Sequence, residues 1–345
     1  SWPRDKIHPI DVVFAILGAA APLYIVVLYK QLVMRAGLVT TTDYIVGIIA
    51  IILILEAVRR VVGIPMVCVA ILFLVYALYG RQLPGVLAHR GADLPTLVQH
   101  LFYTTEGIFG IPLGVSSTFI FLFILFGAFL EKTGLGQLFI DLSNAVAGWA
   151  AGGPAKVAVI ASALEGTVSG SSVANTAGSG SFTIPMMKKL GYEPEFAGAV
   201  EATASTGGQL MPPIMGAAAF LMAEFIGMPY FRIVTAAIIP SLLYYFGVWT
   251  QVHFEAKRLG LRGMSRDELP KIGDVLKERG HLLVPLIALI YLLAKGYTPM
   301  RAALVAIVLT IGCAMLKKNT RISFFDIVEG LEKGARGALG VVAAT

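Results

Sequence analysis

A polar, glycine-rich stretch, EGTVSGSSVANTAGSGS, occupies residues 165–181 between the apolar runs 157–163 and 182–187. Its seventeen residues include four glycines, five serines, two threonines and an asparagine. A lipid-exposed helix does not tolerate this composition, because each backbone amide freed in hydrocarbon costs several kcal/mol, and irregular backbone persists at membrane depth only where protein buries it or water reaches it. The stretch predicts a re-entrant hairpin over residues 155–190; a soluble Gly/Ser loop is the alternative on composition.

Composition places the chain among polytopic helical membrane proteins. Of its 345 residues 57% are hydrophobic and 14% charged, with a mean hydropathy of +0.80, whereas soluble domains carry about 25% charged residues. The net charge of +6 comes without a basic stripe interleaved with aromatics, so it indicates membrane orientation rather than nucleic-acid binding. Cys68 and Cys313 lie in separate apolar runs, which indicates neither a disulfide nor a transition-metal site. P-loop, zinc-protease and nucleophile-elbow motifs are absent, so we expect no enzyme.

Apolar spans of membrane length, or close to it, follow one another along the chain. They lie at 11–29, 43–58, 64–80, 111–131, 195–226, 229–252, 281–294 and 299–316, with weaker amphipathic stretches at 94–107 and 137–150. The segment SWPRDKIHPID before them predicts an interfacial lead-in anchored by Trp2. The predicted fold class is an all-α polytopic membrane protein. Its predicted parts are scaffold helices at 1–84, a first repeat at 85–252, a cytoplasmic loop at 253–280 and a second, truncated repeat at 281–345.

The positions of Lys and Arg test the hairpin. If Arg59 and Arg60 mark the cytoplasmic side, a hairpin at 155–190 keeps the basic loop 253–280 on that side. It also keeps there the basic cluster of Lys317, Lys318 and Arg321. If residues 155–190 crossed the membrane once instead, both basic groups would lie outside. The positive-inside rule therefore favours the hairpin.

A faint internal repeat appears at an offset of 230 residues. The first copy is Leu97, Val98, Leu101, Gly107 and Gly110, and the second is Ile327, Val328, Leu331, Gly337 and Gly340. The spans before the two copies run in opposite directions, which is typical of inverted-repeat transporters; a chance match is the alternative. The second copy stops before a hairpin of its own, and the chain begins with Ser1. We therefore expect both ends to be cut or incomplete.

A second polar interruption, STGGQLMPPIMG, lies at residues 205–216 inside the apolar span 195–226. Proline removes an amide donor and clashes with the preceding turn. Two glycines followed by two prolines therefore predict a helix broken near mid-membrane. Unwound carbonyls there can coordinate a small cation, and the N-terminus of a half-helix can face an anion. A simple proline kink is the alternative.

Carboxylates in apolar segments are costly and indicate function. Glu165 lies in the first arm of the hairpin, while Glu201 and Glu224 lie in the broken span. Glu56 and Glu131 flank basic residues at span ends and are interpreted as interfacial. Glu165 is the candidate for a proton-coupling role; the alternative is a packing or salt-bridge residue.

The segment from Ala163 to Tyr230 resembles the large membrane subunit of tripartite ATP-independent periplasmic (TRAP) transporters, most closely the fused membrane protein of the TAXI branch. The resemblance covers about residues 85–345, and the first spans resemble the fused small subunit. It implies an elevator-type transporter with a re-entrant hairpin, a broken transmembrane helix and inverted repeats. It also implies ion-coupled import of small organic acids across the bacterial inner membrane. The coupling ion would be Na⁺ or H⁺, with no other cofactor, and a periplasmic TAXI-type binding protein would deliver the substrate.

The resemblance also implies site residues. The substrate would be bound by Ser171, Ser172, Asn175, Thr206 and Gln209. The cation would be bound by Ser169, Gly170, Ser171, Gly207, Gly208 and Pro212, with Pro213 in the same helix break. Glu165 stands where the family carries an uncharged, often aromatic residue, which favours proton coupling. A binding-protein-independent elevator transporter and a channel or scaffold subunit are the alternative functions.

Overall fold

A computed structural model describes residues 8–35, 38–265, 267 and 269–344. The predicted lead-in around Trp2 falls mostly on residues 1–7, and Arg266 belongs to the predicted basic loop; both lie outside the described residues. Within the described part the chain is helical, with no strand. Its helices are α1 Pro9–Val27, α2 Tyr29–Met34, α3 Thr41–Val61, α4 Ile64–Tyr79, α5 Leu94–Tyr103, α6 Ile111–Val115, α7 Phe121–Lys132, α8 Leu135–Ala147, α9 Gly153–Ser169, α10 Ser172–Leu190, α11 Pro194–Gly207, α12 Ala217–Ile226, α13 Tyr230–Arg258, α14 Ile272–Arg279, α15 Val284–Ala294, α16 Pro299–Ala314 and α17 Phe324–Ala344.

Local sequence signals set many of these helix ends. At the start of α3, the Asp43 carboxylate accepts the Thr40 N–H at 2.9 Å, while Thr40 Oγ1 accepts the Asp43 N–H. This capping box satisfies two amides that have no partner within the helix. The Thr298 hydroxyl accepts the Arg301 N–H in the same way at the start of α16. Proline opens α4, α11 and α16, where its missing N–H removes no helical hydrogen bond.

Among the described residues, four helical stretches are long and apolar enough to cross a membrane. They are Pro9–Val27, Ile64–Gln82, Ile111–Lys132 and Tyr230–Arg258. Two shorter apolar helices, α12 and α16, do not reach spanning length alone. The predicted broken span 195–226 is observed as α11 and α12 with irregular backbone between them. The all-α polytopic membrane fold is thus confirmed.

The chain forms two compact units. The first contains the described residues up to Ser116 together with those from Leu339 onward. Asp43 is buried in this unit and accepts a 2.6 Å hydrogen bond from the Tyr24 hydroxyl, while the Tyr103 hydroxyl donates to the Asp43 carbonyl at 2.7 Å. These bonds connect α1, α3 and α5 around a small apolar core that includes Phe102.

The second unit, Ser117–Ala338, contains both polar interruptions. Its main core lies between α9, α10, α11 and α13 and is built largely from small residues: Ala155, Ala158, Ala197, Ala204 and Ala256. Small side chains let helix backbones approach closely, which is how helices associate in a membrane. Helix α17 packs on α7 in the same way, because a Cβ at Gly330 would lie 3.1 Å from the Phe129 ring. Beside this contact Lys333 pairs with Glu131 at 2.6 Å.

The two copies of the faint repeat adopt partly different backbones. Leu97 and Leu101 lie in α5, and Ile327 and Leu331 lie in α17, so both copies begin as helix. In the first copy, Gly107 and Gly110 follow α5 in non-helical backbone. Their counterparts in the second copy, Gly337 and Gly340, lie inside α17. The helical likeness therefore covers only the first part of each copy.

Candidate functional site

Helices α9 and α10 form a hairpin whose tip we define as residues 169–172. Gly170 has φ +58°, a left-handed conformation that glycine adopts without steric cost and that ends α9. Ser171 then begins α10, and its Oγ accepts the Ala174 N–H at 3.3 Å. The reversal thus takes two residues, and the sequence provides both the left-handed turn and the cap.

The two arms of the hairpin run antiparallel and are in contact both midway along their length and at the end opposite the tip. Ser162 Oγ of α9 lies 3.2 Å from Ser179 Oγ of α10. At the open end, the Tyr192 hydroxyl donates to the Gly152 carbonyl at 3.4 Å. The chain therefore enters and leaves this segment at the same end, so α9 and α10 form a helical hairpin. That this hairpin re-enters the membrane stays a prediction.

The helix break, residues 208–216, joins α11 to α12. Its ends are connected by the Gly216 N–H, which donates to the Gln209 carbonyl at 2.8 Å. The buried Tyr230 hydroxyl lies 2.9 Å from the Pro213 carbonyl and also contacts the Ile214 carbonyl. Tyr230 thus provides a hydrogen-bond donor to backbone oxygens that the helix can no longer satisfy.

The hairpin tip and the helix break are in direct backbone contact. A Cβ added at Gly208 would lie 2.8 Å from Gly166 Cα and 3.2 Å from Asn175 Nδ2. A Cβ at Gly170 would overlap the Met215 carbonyl oxygen. Because real Cβ atoms essentially never approach this closely, only glycine fits at these two positions. The glycines of both interruptions therefore serve one contact between them.

Two buried polar oxygens at this contact have no hydrogen-bond partner among the described residues: Asn175 Oδ1 and Ser169 Oγ. Asn175 is fully buried, and its Nδ2 donates to the Ser162 carbonyl at 2.9 Å. Buried polar atoms almost always have partners, so unpaired ones need an explanation, such as a bound ion or water. Nearby, Gln209 Nε2 donates to Ser172 Oγ at 3.3 Å, which links the break to the tip.

The sequence-predicted site residues fall into two groups. Those brought to the contact are Ser169, Gly170, Ser172, Asn175, Gly208 and Gln209. Three others have different surroundings: the Thr206 hydroxyl donates to the Ala202 carbonyl at 2.7 Å, Gly207 packs against Tyr244 and Tyr245, and Pro212 is half-buried in the break. Ser171 lies at the tip, but its hydroxyl is engaged as a helix cap.

The contact also brings together four helix ends. Helices α9 and α11 end there, and α10 and α12 begin there. The C-terminal end of a helix carries partial negative charge on free carbonyls, and the N-terminal end carries partial positive charge on free amides. The arrangement can therefore attract a cation and an anion at neighbouring positions.

The carboxylates singled out from the sequence have different environments. Glu165 is half-buried, with Oε1 packed against the backbone of Gly178, and it forms no salt bridge within the described ranges. Glu224 is exposed. Glu56 pairs with two neighbouring arginines and Glu131 with a lysine of α17; their interfacial position stays a prediction.

Sequence reasoning did not select the most buried carboxylate as a site residue. Glu201 in α11 is fully buried, and four hydroxyls from α9, α10 and α11 are within hydrogen-bond distance of its two oxygens. We call this the Glu201 cluster; its hydroxyls belong to Ser162, Ser179, Thr183 and Ser205. Residues 179 and 183 are four positions apart, as are residues 201 and 205, so each pair shares one helix face. This spacing is the sequence signal from which the cluster could have been predicted.

The chain matches known proteins along most of its length. Residues 49–345 match the profile of the family described as tripartite ATP-independent periplasmic transporter, DctM component. The C4-dicarboxylate TRAP transporter large permease protein DctM of Pseudomonas aeruginosa is 32% identical over 187 residues, which is 54% of this chain and 43% of the relative.

Two further relatives carry different substrate names. The isethionate TRAP transporter permease protein DctMQ of Oleidesulfovibrio alaskensis is 29% identical over 64% of this chain and 35% of its own length. The sialic acid TRAP transporter large permease protein SiaM of Vibrio cholerae is 26% identical over 60% of this chain and 49% of its own length. The match thus covers less than half the length of each of these three relatives.

Proposed function

Since the chain belongs to the DctM family of TRAP transporter large permeases and is a multi-pass protein of the inner membrane, we propose that it imports small organic acids by coupling their movement to Na⁺ or H⁺. The contact between the hairpin tip and the helix break is the proposed site. The observation that supports this most strongly is the pair of buried, unpartnered oxygens on Ser169 and Asn175.

The cation is proposed to bind on the carbonyl side of the contact. The carbonyls that end α9 and α11 carry partial negative charge, and Ser169 Oγ adds a neutral oxygen. Asn175, which the resemblance places in the substrate set, is here proposed as a cation ligand as well, because its Oδ1 is buried and has no partner among the described residues. The proposed ligands are neutral carbonyl, amide and hydroxyl oxygens. Such a set suits a small monovalent cation, because a single positive charge does not require several carboxylates. Gly170, Gly207, Gly208 and Pro212 belong to this proposal through their backbone oxygens.

The organic acid is proposed to bind beside the cation, where α10 and α12 begin. Free amides at a helix N-terminus attract a carboxylate, and Ser172 with Gln209 forms a polar pair at the same place. Thr206 and the capping Ser171 complete the proposed substrate set. The relatives named for C4-dicarboxylates, isethionate and sialic acid all take organic acids, which supports an acid as substrate here.

Movement is proposed to follow an elevator mechanism in which hairpin and broken helix travel together. The close glycine contacts between Gly166 and Gly208 and between Gly170 and Met215 support this, because they leave little freedom for the two interruptions to separate. Inverted repeats and a TAXI-type periplasmic binding protein that delivers the acid belong to the same proposal. Glu165 remains the sequence-based candidate for proton coupling.

Uptake into proteoliposomes tests the proposal. The protein is reconstituted with its cognate binding protein, and a sodium gradient and a pH gradient are imposed separately. We expect accumulation of the acid only when both the binding protein and one gradient are supplied. Accumulation without the binding protein would favour a binding-protein-independent transporter. Conductance without coupling to either gradient would favour a channel and contradict the proposal.

A further inference from the structure

The Glu201 cluster lies inside the same helical unit and has no part in the proposed binding of cation or acid. Glu201 is 0% exposed. Its Oε1 lies 3.0 Å from both Ser162 Oγ and Ser205 Oγ and within hydrogen-bond distance of Ser179 Oγ, while Oε2 accepts from Thr183 Oγ1. Three helices thus converge on a single carboxyl group.

The residues that face Glu201 bring no positive charge to it within the described part of the chain. The titratable groups facing it are Glu165 from α9 and Tyr245 from α13. Helix α10 contributes only hydroxyls there, since its two lysines are exposed at its far end. Lys156 of α9 is engaged elsewhere, 3.0 Å from His253 Nδ1. A buried carboxylate without a cation is expensive and is stabilised either by many donors or by taking up a proton.

The hydroxyls of the Glu201 cluster can satisfy the carboxyl in both states. Ser179 Oγ lies 2.9 Å from the Asn175 carbonyl, and Thr183 Oγ1 lies 3.0 Å from the Ser179 carbonyl. When Glu201 is ionised, all four hydroxyls donate to it. When Oε2 carries a proton, that O–H donates to Thr183 Oγ1, and the Thr183 hydroxyl turns to donate to the Ser179 carbonyl. A hydroxyl both donates and accepts, so the exchange moves no heavy atom.

We infer that Glu201 takes up and releases the coupling proton, and that Thr183 is the positioning residue whose hydroxyl adapts to the two states. This inference rests on the proposed function and adds a proton, carried by Glu201, to the cation proposed at the contact. One proton binds one carboxylate oxygen on the side of high proton concentration and is released from that oxygen on the other side. Glu165 is only half-buried and has fewer hydrogen-bond partners, whereas four hydroxyls converge on Glu201.

The experiment separates exchange from gradient-driven accumulation. In the reconstituted full system, Glu201→Gln keeps the shape and mimics the neutral state. We expect it to exchange labelled for unlabelled acid within about twofold of wild type, while accumulation driven by a pH gradient falls at least about tenfold, which is about 1.4 kcal/mol. Glu224→Gln, at an exposed position, is the matched control and should keep both activities. Full pH-driven accumulation by the Glu201→Gln protein would overturn the inference, as would loss of exchange in a folded variant.

A second variant and a second readout keep the inference testable on their own. Thr183→Val removes a hydroxyl that donates to the ionised carboxylate and accepts from the protonated one. The bond to the charged form is the stronger of the two, so half-maximal pH-driven accumulation should be reached in a less acidic outside medium; an unchanged pH profile would overturn the inference. Infrared pH titration follows the C=O band of a protonated carboxyl without any transport. We expect a titrating band in wild type that Glu201→Gln removes. If wild type shows that band but no exchange, the proposed function fails and the proton site stands; if Glu201→Gln leaves the band unchanged, the proton site fails.

Discussion

Replacing Gly208 with alanine tests how closely the hairpin and the helix break must fit. The added Cβ would lie 2.8 Å from Gly166 Cα and 3.1 Å from the Ser205 carbonyl oxygen, whereas ordinary contacts begin at 3.4 Å. The two backbones must therefore separate by about 0.6 Å. Gly208 itself has φ −59°, a helical value that alanine adopts readily, so the effect is purely one of space. Overpacking of this kind costs about 1–3 kcal/mol.

Because the displaced backbone forms the proposed site, we expect uptake by Gly208→Ala to fall by about tenfold or more, since 1.4 kcal/mol corresponds to tenfold in binding. The assay is binding-protein-dependent uptake in proteoliposomes, with thermal unfolding in detergent measured on the same preparations. Gly198→Ala is the matched control, because Gly198 lies in α11, which ends next to Gly208, and its added Cβ has nothing within 4 Å. Alanine there should be neutral or stabilise by about 0.5–1 kcal/mol. Normal uptake by the Gly208 variant at wild-type stability would refute the close contact.

Three further changes test neighbouring features. Tyr230→Phe leaves two buried carbonyls in the helix break without their donor, which should destabilise the protein by about 1–3 kcal/mol in thermal unfolding. Tyr291→Phe, at an exposed ring, is the control and should change stability little; equal effects of the two variants would contradict the role of Tyr230 as that donor. Asn175→Ala removes an unpartnered oxygen from the proposed cation site, so the cation concentration needed for half-maximal uptake should rise about tenfold or more. An unchanged concentration would exclude Asn175 as a ligand of the cation. Glu165→Gln distinguishes the two candidate carboxylates: with Glu201 as the carrier, this variant should keep the pH and cation dependence of uptake, and lost or uncoupled uptake would assign the coupling charge to Glu165.

The hairpin and the broken helix were predictable because each depends on local chemistry. Glycine and serine at 169–172 cannot continue a lipid-exposed helix, and the two prolines at 212–213 cannot continue α11. The positive-inside rule then distinguished a hairpin from a single crossing. Both interruptions depend on neighbouring residues only, so they could be predicted without a structure.

The Glu201 cluster was harder to predict because it depends on the rotation of three helices about their axes. Ser162, Thr183 and Glu201 are far apart in the sequence, and nothing local fixes which faces of α9, α10 and α11 meet. The capping role of Ser171 was missed for a related reason, since it depends on where α10 begins to within one residue. Glycine positions that allow backbone contact, such as Gly166, gave no recognisable motif.

Labelling of single cysteines with a membrane-impermeant maleimide shows whether the hairpin returns to the membrane face from which it entered. In a background with Cys68 and Cys313 replaced by serine, cysteine is introduced before the hairpin by Ala151→Cys, in its last turn by Lys188→Cys and beyond the broken helix by Gly227→Cys. We expect the first two positions to react only from the cytoplasmic side and the third only from the opposite side. Reaction of the Ala151 and Lys188 variants from opposite sides would contradict this expectation.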